Sequence, residues 1–358
     1  MTHQLSMSLF DESIAPLEVV PGVDDRLSSQ YPCQYERNGV HIFQGDSLSI
    51  CNHWPSPVAI ISDGAYGISG FSGDLATYEG LAEWYEPHIK KWSELSTPLT
   101  TLWFWNTEIG WATVHPILKK YHWLYRGASI WDKGVAHIAG NSNTQSLRRL
   151  PTVSEVCVQY VKEARVVVNS QEMSLKEWLR QEWLRTGLPL SKTNDACGVK
   201  NAATRKYFTQ DHLWYFPPVE AFEKLCEYAN KYGYPDGRPF FSIDGKKPLS
   251  GMEWSRLRAK FRCEHGVTNV WHEPAVRNSE RFKQGQKALH TNQKPLSLNE
   301  LIIRLCTDEN DVVWEPFGGL CTAAIASYRL GRRCFSAEIE PQFYNVAISR
   351  LAHYKFNS

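Results

Sequence analysis

The sequence predicts an α/β fold in which a mixed, mostly parallel sheet carries helices on both faces and is interrupted by an inserted unit. Three observations lead there. The apolar run Val312-Val313-Trp314 ends in Glu315, a Pro316-Phe317 turn and two glycines, and Leu320 to Leu330 then follows a helical pattern. A parallel α/β sheet presents a backbone loop and a helix N-terminus to a polar ligand in this way. The run Ile60-Ile61-Ser62 likewise ends in an acidic turn, Asp63-Gly64-Ala65-Tyr66-Gly67, and Ser336-Ala337-Glu338 is a third strand that closes on an acid.

Taken in order, residues 1 to 38 lack periodicity and read as an arm. Val40 to Phe43 is a short strand closed by Gln44-Gly45-Asp46, and Val58 to Ser62 is the next. Thr77 to Leu95 spaces Leu81, Trp84, Tyr85, Ile89, Trp92 and Leu95 as a helix does. Leu99 to Trp105 reads as a buried strand, Ile109 to Lys120 as a helix, and His122 to Trp131 and Val156 to Val161 as strands. The aromatics of Trp103-Phe104-Trp105 suit core packing better than base stacking. Ser174-Leu175-Lys176-Glu177 is a capping box that opens a helix to about Arg185. Leu190 to Phe208 holds two short helical patterns around Gly198, a helix-turn-helix-like unit or an ordinary polar hairpin. Val219 to Lys231 is a helix, Gly233 to Gly251 a loop rich in Gly, Pro and Asp, and Phe343 to His353 an amphipathic helix.

Composition narrows the setting. A chain of 358 residues suffices for one large α/β domain with a smaller insertion. Net charge is +1, yet Ser174 to Lys294 holds 21 Lys/Arg against 13 Asp/Glu, a local excess suited to phosphates or to a solvated face. Nine scattered cysteines without a CxxC pair predict reduced thiols and a cytoplasmic protein. The spacing of Cys263, His265 and His272 matches no standard zinc site, and no metal is expected. No signal pattern or membrane-length apolar run is present, so a soluble protein without a membrane partner is expected.

A fourth segment, His290-Thr291-Asn292-Gln293-Lys294-Pro295-Leu296, completes a set. From Ile42 to about Leu351 the chain resembles the DNA amino-methyltransferases that use S-adenosylmethionine (AdoMet). Their AdoMet loop reads Asp-Pro-Phe-x-Gly-x-Gly-Thr and their catalytic loop Asp/Asn/Ser-Pro-Pro-Tyr. With the catalytic loop first and the AdoMet loop last, the order is that of the β-class permutation. The resemblance implies a Rossmann-like methyltransferase sheet with an inserted target-recognition domain. Its expected divisions are an arm over 1–38, a catalytic half over 39–139, the insertion over 140–275 and an AdoMet-binding half over 276–358.

It also implies roles. The Asp63 carboxylate and the Gly64 carbonyl would hold the two N–H groups of an exocyclic base amine and stabilise the charge that develops on it. Tyr66 would stack on the flipped base. Glu338 would hold the ribose hydroxyls; Thr291, Asn292 and Lys294 would form the wall beside the methionine part, with Lys294 on its carboxylate. Asp46, Glu315, Pro316, Phe317, Gly319 and Thr322 would complete the pocket together with Asp63. Two positions depart from the pattern: Gly64-Ala65 stands for Pro-Pro, and Leu320-Cys321 for Ser-Gly.

DNA contacts are expected from Arg148 and Arg149 with Asn141 and Asn143 nearby, from Lys200, Arg205 and Lys206, and from a basic run of Arg277, Arg281, Lys283 and Lys287. Double-stranded DNA is the implied partner, and the resemblance leaves room for a cognate restriction endonuclease and a homodimer. Asp at position 63 favours adenine over cytosine as the target. A catalytically silent DNA-binding module of the same fold, or an RNA methyltransferase, are the alternatives.

Overall fold

In the computed structural model of this chain the described residues are 35–69, 74–138, 148, 150–168, 170–276, 283–284, 287–288 and 293–353, the two dipeptides by backbone alone. The expectations for Asn141, Asn143, Arg149, Arg277, Arg281, His290, Thr291 and Asn292, and for the side chains of Lys283 and Lys287, lie outside them.

The strands, in chain order, are β1 (Tyr35–Arg37), β2 (Val40–Gln44), β3 (Ala59–Ser62), β4 (Thr101–Asn106), β5 (Trp123–Asp132), β6 (Ser154–Lys162), β7 (Arg165–Val168), β8 (Gln171–Ser174), β9 (Val270–His272), β10 (Lys283–Gln284), β11 (Lys287–Ala288), β12 (Val312–Glu315) and β13 (Arg333–Glu338). The helices are α1 (Ser47–Ile50), α2 (Leu81–Leu95), α3 (Glu108–Lys120), α4 (Leu175–Arg185), α5 (Lys192–Cys197), α6 (Arg205–Phe208), α7 (Val219–Tyr232), α8 (Gly251–Ser255), α9 (Leu296–Cys306), α10 (Thr322–Arg329) and α11 (Pro341–His353). Among the described residues no helix is long and apolar enough to cross a membrane.

The main sheet runs β1-β2-β13-β12-β3-β4-β6-β5-β9. Pairing is parallel from β2 through β13, β12 and β3 to β4. It turns antiparallel on both sides of β6 and at the β1–β2 edge. Every residue of β3 and β4 is buried. That is the consequence of covering both faces of a parallel sheet, and it explains why these strands read as continuous apolar runs. Alternate side chains serve opposite layers. Ile60, Leu102, Phe104 and Val158 pack with α2 and α3. Ile61, Trp103, Trp105 and Val313 pack with α9, α10 and α11.

The chain leaves β3 through α2 toward β4 and leaves β12 through α10 toward β13. These crossovers depart to opposite sides of two adjacent parallel strands, which opens a crevice at their carboxyl ends, where α/β sheets bind ligands. Asp63 and Glu315 stand there.

A third core belongs to the insertion. It gathers residues from Ala164 to Leu257, among them Val166, Trp178, Trp183, Phe222, Phe241 and Trp254. The Trp254 and Phe222 rings stack with centroids 4.1 Å apart. Glu182, nearly out of solvent, ties α4 to a later segment through Arg238 at 2.5 Å and the Phe241 N–H at 2.7 Å, and pairs with Arg185 of its own helix at 2.8 Å.

Several expectations shift. Ser154–Lys162 belongs to the main sheet between β4 and β5, so the independently packed insertion is narrower than 140–275. Tyr35–Arg37, expected to belong to the arm, is instead strand β1, paired with β2. Between β6 and α4, β7 and β8 form an antiparallel hairpin to which the sequence reading assigned no element. In the suspected helix-turn-helix, α6 is a single turn preceded by left-handed Asn201 and Ala202. One turn is too short to lie along a major groove as a recognition helix.

Candidate active site

The turn after β3 is held by backbone contacts rather than prolines. The Ala65 carbonyl accepts the Tyr85 hydroxyl at 3.0 Å and the Asn106 amide at 2.9 Å. Asp74 then gathers three successive amides: those of Tyr66 and Gly67 donate to Oδ1 at 2.8 Å and that of Ile68 to Oδ2 at 3.1 Å. Gly67 is required by its φ of +68° and because a β-carbon would collide with the Thr77–Tyr78 backbone.

The loop after β12 is organised by Glu315. Its carboxylate accepts the amides of Ala323 at 2.8 Å and Ala324 at 3.1 Å, and the Ser336 hydroxyl at 2.8 Å. It thereby satisfies the otherwise orphaned donors that open α10. Burial pushes the Glu315 carboxyl up to about 8, against these hydrogen bonds. Gly318 sits where a β-carbon would be within 3.0 Å of Cys321, Ser336 and Ala337. Cys321, in place of the family's glycine, adopts a left-handed φ of 51° at the helix N-cap with its thiol 3.3 Å from the Ser336 hydroxyl. Thr322 and the Leu320 carbonyl are bound by Arg350 of α11.

Glu338, at the end of β13, accepts the Gly319 amide at 2.5 Å and the Glu340 amide at 2.8 Å. Burial raises its carboxyl above the ordinary range. Asp46, at the adjacent end of β2, caps α1 through the Leu48 amide at 3.0 Å.

Asp63 does not stand alone. Its Oδ1 accepts the Lys294 ammonium at 2.8 Å and the Tyr66 hydroxyl at 2.9 Å. The same two groups reach Oε2 of Glu155, at 3.2 Å and 3.1 Å. Lys133 binds the other oxygen of Glu155. Burial works against an ionised Glu155, but Lys294 and Lys133 outweigh it and hold the carboxyl below its usual range. Burial likewise opposes the Lys294 ammonium, and Asp63 and Glu155 outweigh it. Burial, reinforced by Asp63 and Glu155, keeps the Tyr66 phenol protonated.

Asp63, Tyr66 and Lys294 face one cavity of about 530 Å³ together with the loops after β12 and β13. Asp46, Asp63, Gly64, Tyr66, Lys294, Glu315, Pro316, Phe317, Gly319, Thr322 and Glu338 all line it, so the structure brings together every expected pocket residue that it describes. Arg148, Lys200, Arg205 and Lys206 are exposed and stand apart from the cavity lining.

The family model for DNA methylase matches residues 58–349. The chain belongs to that family. It is 38% identical to the type II methyltransferase M.HindIII of Haemophilus influenzae over 77 residues, 22% of this chain and 25% of that one. It is 27% identical to the type II methyltransferase M.ScaI of Streptomyces caespitosus over 181 residues, 47% of this chain and 60% of that one. The chain thus spans between 25% and 60% of the length of these relatives. Among solved structures it is similar to the M1.HpyAVI–SAM complex, with a TM-score of 0.46 and 16% identity over 87% of this chain and 98% of that one. It is also similar to the cytosine-N4-specific PvuII DNA methyltransferase, with a TM-score of 0.49 and 14% identity over 89% and 88%.

Three of the expected site side chains are engaged within the protein itself. Lys294, 3% exposed, is bound to Asp63 and Glu155 rather than free to meet a ligand carboxylate. Tyr66, 2% exposed, has its hydroxyl on Asp63 and its ring 5.1 Å from the Lys294 ammonium, so in this conformation it serves the charge cluster instead of offering an open stacking face. Glu315 gives both oxygens to α10 and Ser336. Sequence reasoning missed Glu155, Lys133 and Asp74. Glu155 is an acid inside an apolar strand, Glu155-Val156-Cys157-Val158, and an acid at a buried strand position is a signal of a paired charge.

Proposed function

We propose that the chain transfers a methyl group from AdoMet to the exocyclic amine of a base flipped out of duplex DNA, with adenine as the favoured target. The observation that carries this reading is the single cavity lined by Asp63 at the end of β3, the Pro316–Leu320 loop after β12 and Glu338 at the end of β13. AdoMet supplies the activated methyl group when bound. The residues suit it: Glu338 is an acid at the ligand end of a strand, positioned for ribose hydroxyls, and Gly319, with a φ of 53°, brings the loop backbone to the cavity wall without a side chain.

An exocyclic amine is a poor nucleophile because its lone pair is delocalised into the ring. The Asp63 carboxylate accepts one N–H and the Gly64 carbonyl the other, which draws the nitrogen toward tetrahedral geometry and offsets its growing positive charge. Preorganisation of both acceptors rests on the contacts to Ala65, Tyr66, Gly67 and Ile68 described above. Exposed Lys200, Arg205 and Lys206 of the insertion would contact phosphates, with the basic run from Arg277 to Lys287. The same reading has the protein acting in the cytoplasm, with a cognate restriction endonuclease as partner; the support is that M.HindIII and M.ScaI are type II methyltransferases by name.

The test is transfer of labelled methyl from AdoMet to mixed genomic DNA, followed by nucleoside mass spectrometry. Methylated adenine amine is expected, lost in Asp63→Ala while AdoMet affinity stays within about twofold. Binding of AdoMet without transfer to any DNA would sink the reading.

A further inference from the structure

The cluster behind Asp63 holds two carboxylates, Asp63 and Glu155, and two ammoniums, Lys294 and Lys133. Their formal charges cancel. Both Lys294 and Tyr66 bridge the same pair of oxygens, Oδ1 of Asp63 and Oε2 of Glu155. Among the described residues no donor reaches Oδ2 of Asp63. The bridge therefore fixes the plane of the carboxylate through one oxygen and leaves the other for a substrate. Glu155 is 8% exposed and the Lys133 side chain 12% exposed, so solvent does little to screen this arrangement.

We propose that Glu155 is a positioning residue for methyl transfer: it holds Lys294 and Tyr66 on Asp63 and keeps the charge behind the target amine at zero. This rests on the reading given under Proposed function. In that reaction the amine nitrogen bonds to the methyl carbon with its lone pair while the carbon–sulfur bond breaks and its electrons return to sulfur. The sulfonium becomes a neutral thioether, the positive charge passes to nitrogen, and one N–H proton then goes to the Asp63 carboxylate. Charge thus moves toward the cluster in the transition state. A cluster left with a net positive charge opposes that movement more than it opposes AdoMet binding, so its effect falls on kcat.

Glu155→Gln leaves the cluster at +1, since Asp63 then faces both Lys294 and Lys133. Adding Lys133→Met returns it to zero. The expected result is a fall in kcat of about tenfold or more in Glu155→Gln, with the AdoMet Kd from calorimetry within about threefold. Activity should be regained by about fivefold or more in Glu155→Gln/Lys133→Met. Unfolding temperatures of all variants, measured in parallel, identify a variant that fails to fold. Should Glu155→Gln fail, the double variant and Glu155→Asp carry the test, because both keep the charge balanced and must transfer methyl. Loss of transfer in both, or a Glu155→Gln enzyme as active as wild type, or a double variant no more active than Glu155→Gln, overturns the proposal. A wild-type chain that methylates no DNA overturns the functional reading itself.

Discussion

At position 64 a β-carbon would lie 2.7 Å from the Phe317 ring and 2.8 Å from the Tyr85 hydroxyl. The glycine that breaks the family's Pro-Pro pattern is thus the residue that lets Phe317 pack against the catalytic turn. Phe317 in turn sits among Trp84, His88 and Trp92, with centroids 5.2, 4.9 and 5.9 Å away. Rigidity that prolines would give locally comes instead from Asp74, Tyr85 and Asn106. Residue-scale roles separate cleanly in experiment. Glu338→Ala removes the acceptor of the Gly319 amide as well as the acid expected on the ribose, and AdoMet affinity should drop by about tenfold or more. An unchanged Kd by calorimetry would take Glu338 out of the pocket. The place of Asp63, Lys294 and Glu338 around one cavity was legible in the sequence because each lies in a short local motif. Glu155 was not, because its meaning depends on a partner 89 residues away, Tyr66, which the sheet brings beside it.

At the scale of elements, α10 depends on a carboxylate from the strand before it. Glu315 caps its first amides while buried, and its carboxyl titrates near 8. The sign follows from a folded-state value above the ordinary 4.5. The stability it contributes is full below the ordinary value and is lost as pH rises through about 8. Wild type should therefore lose thermal stability between these values by a component absent from Glu315→Gln. Melting curves of the two proteins with identical pH slopes would refute the assignment. Most elements were readable from hydrophobic period, including α2, α4 and α7, whose apolar faces repeat at helical spacing. The β7–β8 hairpin was not, since Arg165–Val168 and Gln171–Ser174 are four-residue strands with little alternation between them.

The molecule as a whole combines a sheet that builds the cavity with an insertion that packs around its own core. The near-zero net charge of +1 masks the basic excess between Ser174 and Lys294, part of which lies in the insertion. Arg205 and Lys206 are exposed there. Converting both to Gln should reduce the slope of log K against log salt for DNA by about 1.8, at 0.9 per phosphate contact. A slope that does not move would place this face away from the DNA backbone. The insertion's outline was only roughly readable in the sequence: β6 is a mostly buried apolar run, and nothing local says which of two units it will join. Its place between β4 and β5 is decided by pairing over long sequence separations.

The order of strands has a consequence for how the chain is made. On the ribosome β3 emerges ahead of the insertion and α9, whereas its neighbour β12 and the following β13 come only after them. At ordinary rates of synthesis the delay is on the order of tens of seconds. Throughout it, the fully apolar-packed edge of Ala59–Ser62 has no partner on that side. An unpaired strand edge of this kind invites pairing with other chains. Between the emergence of β3 and that of β12, the strand that leads into Asp63 presents an edge open to pairing with other chains.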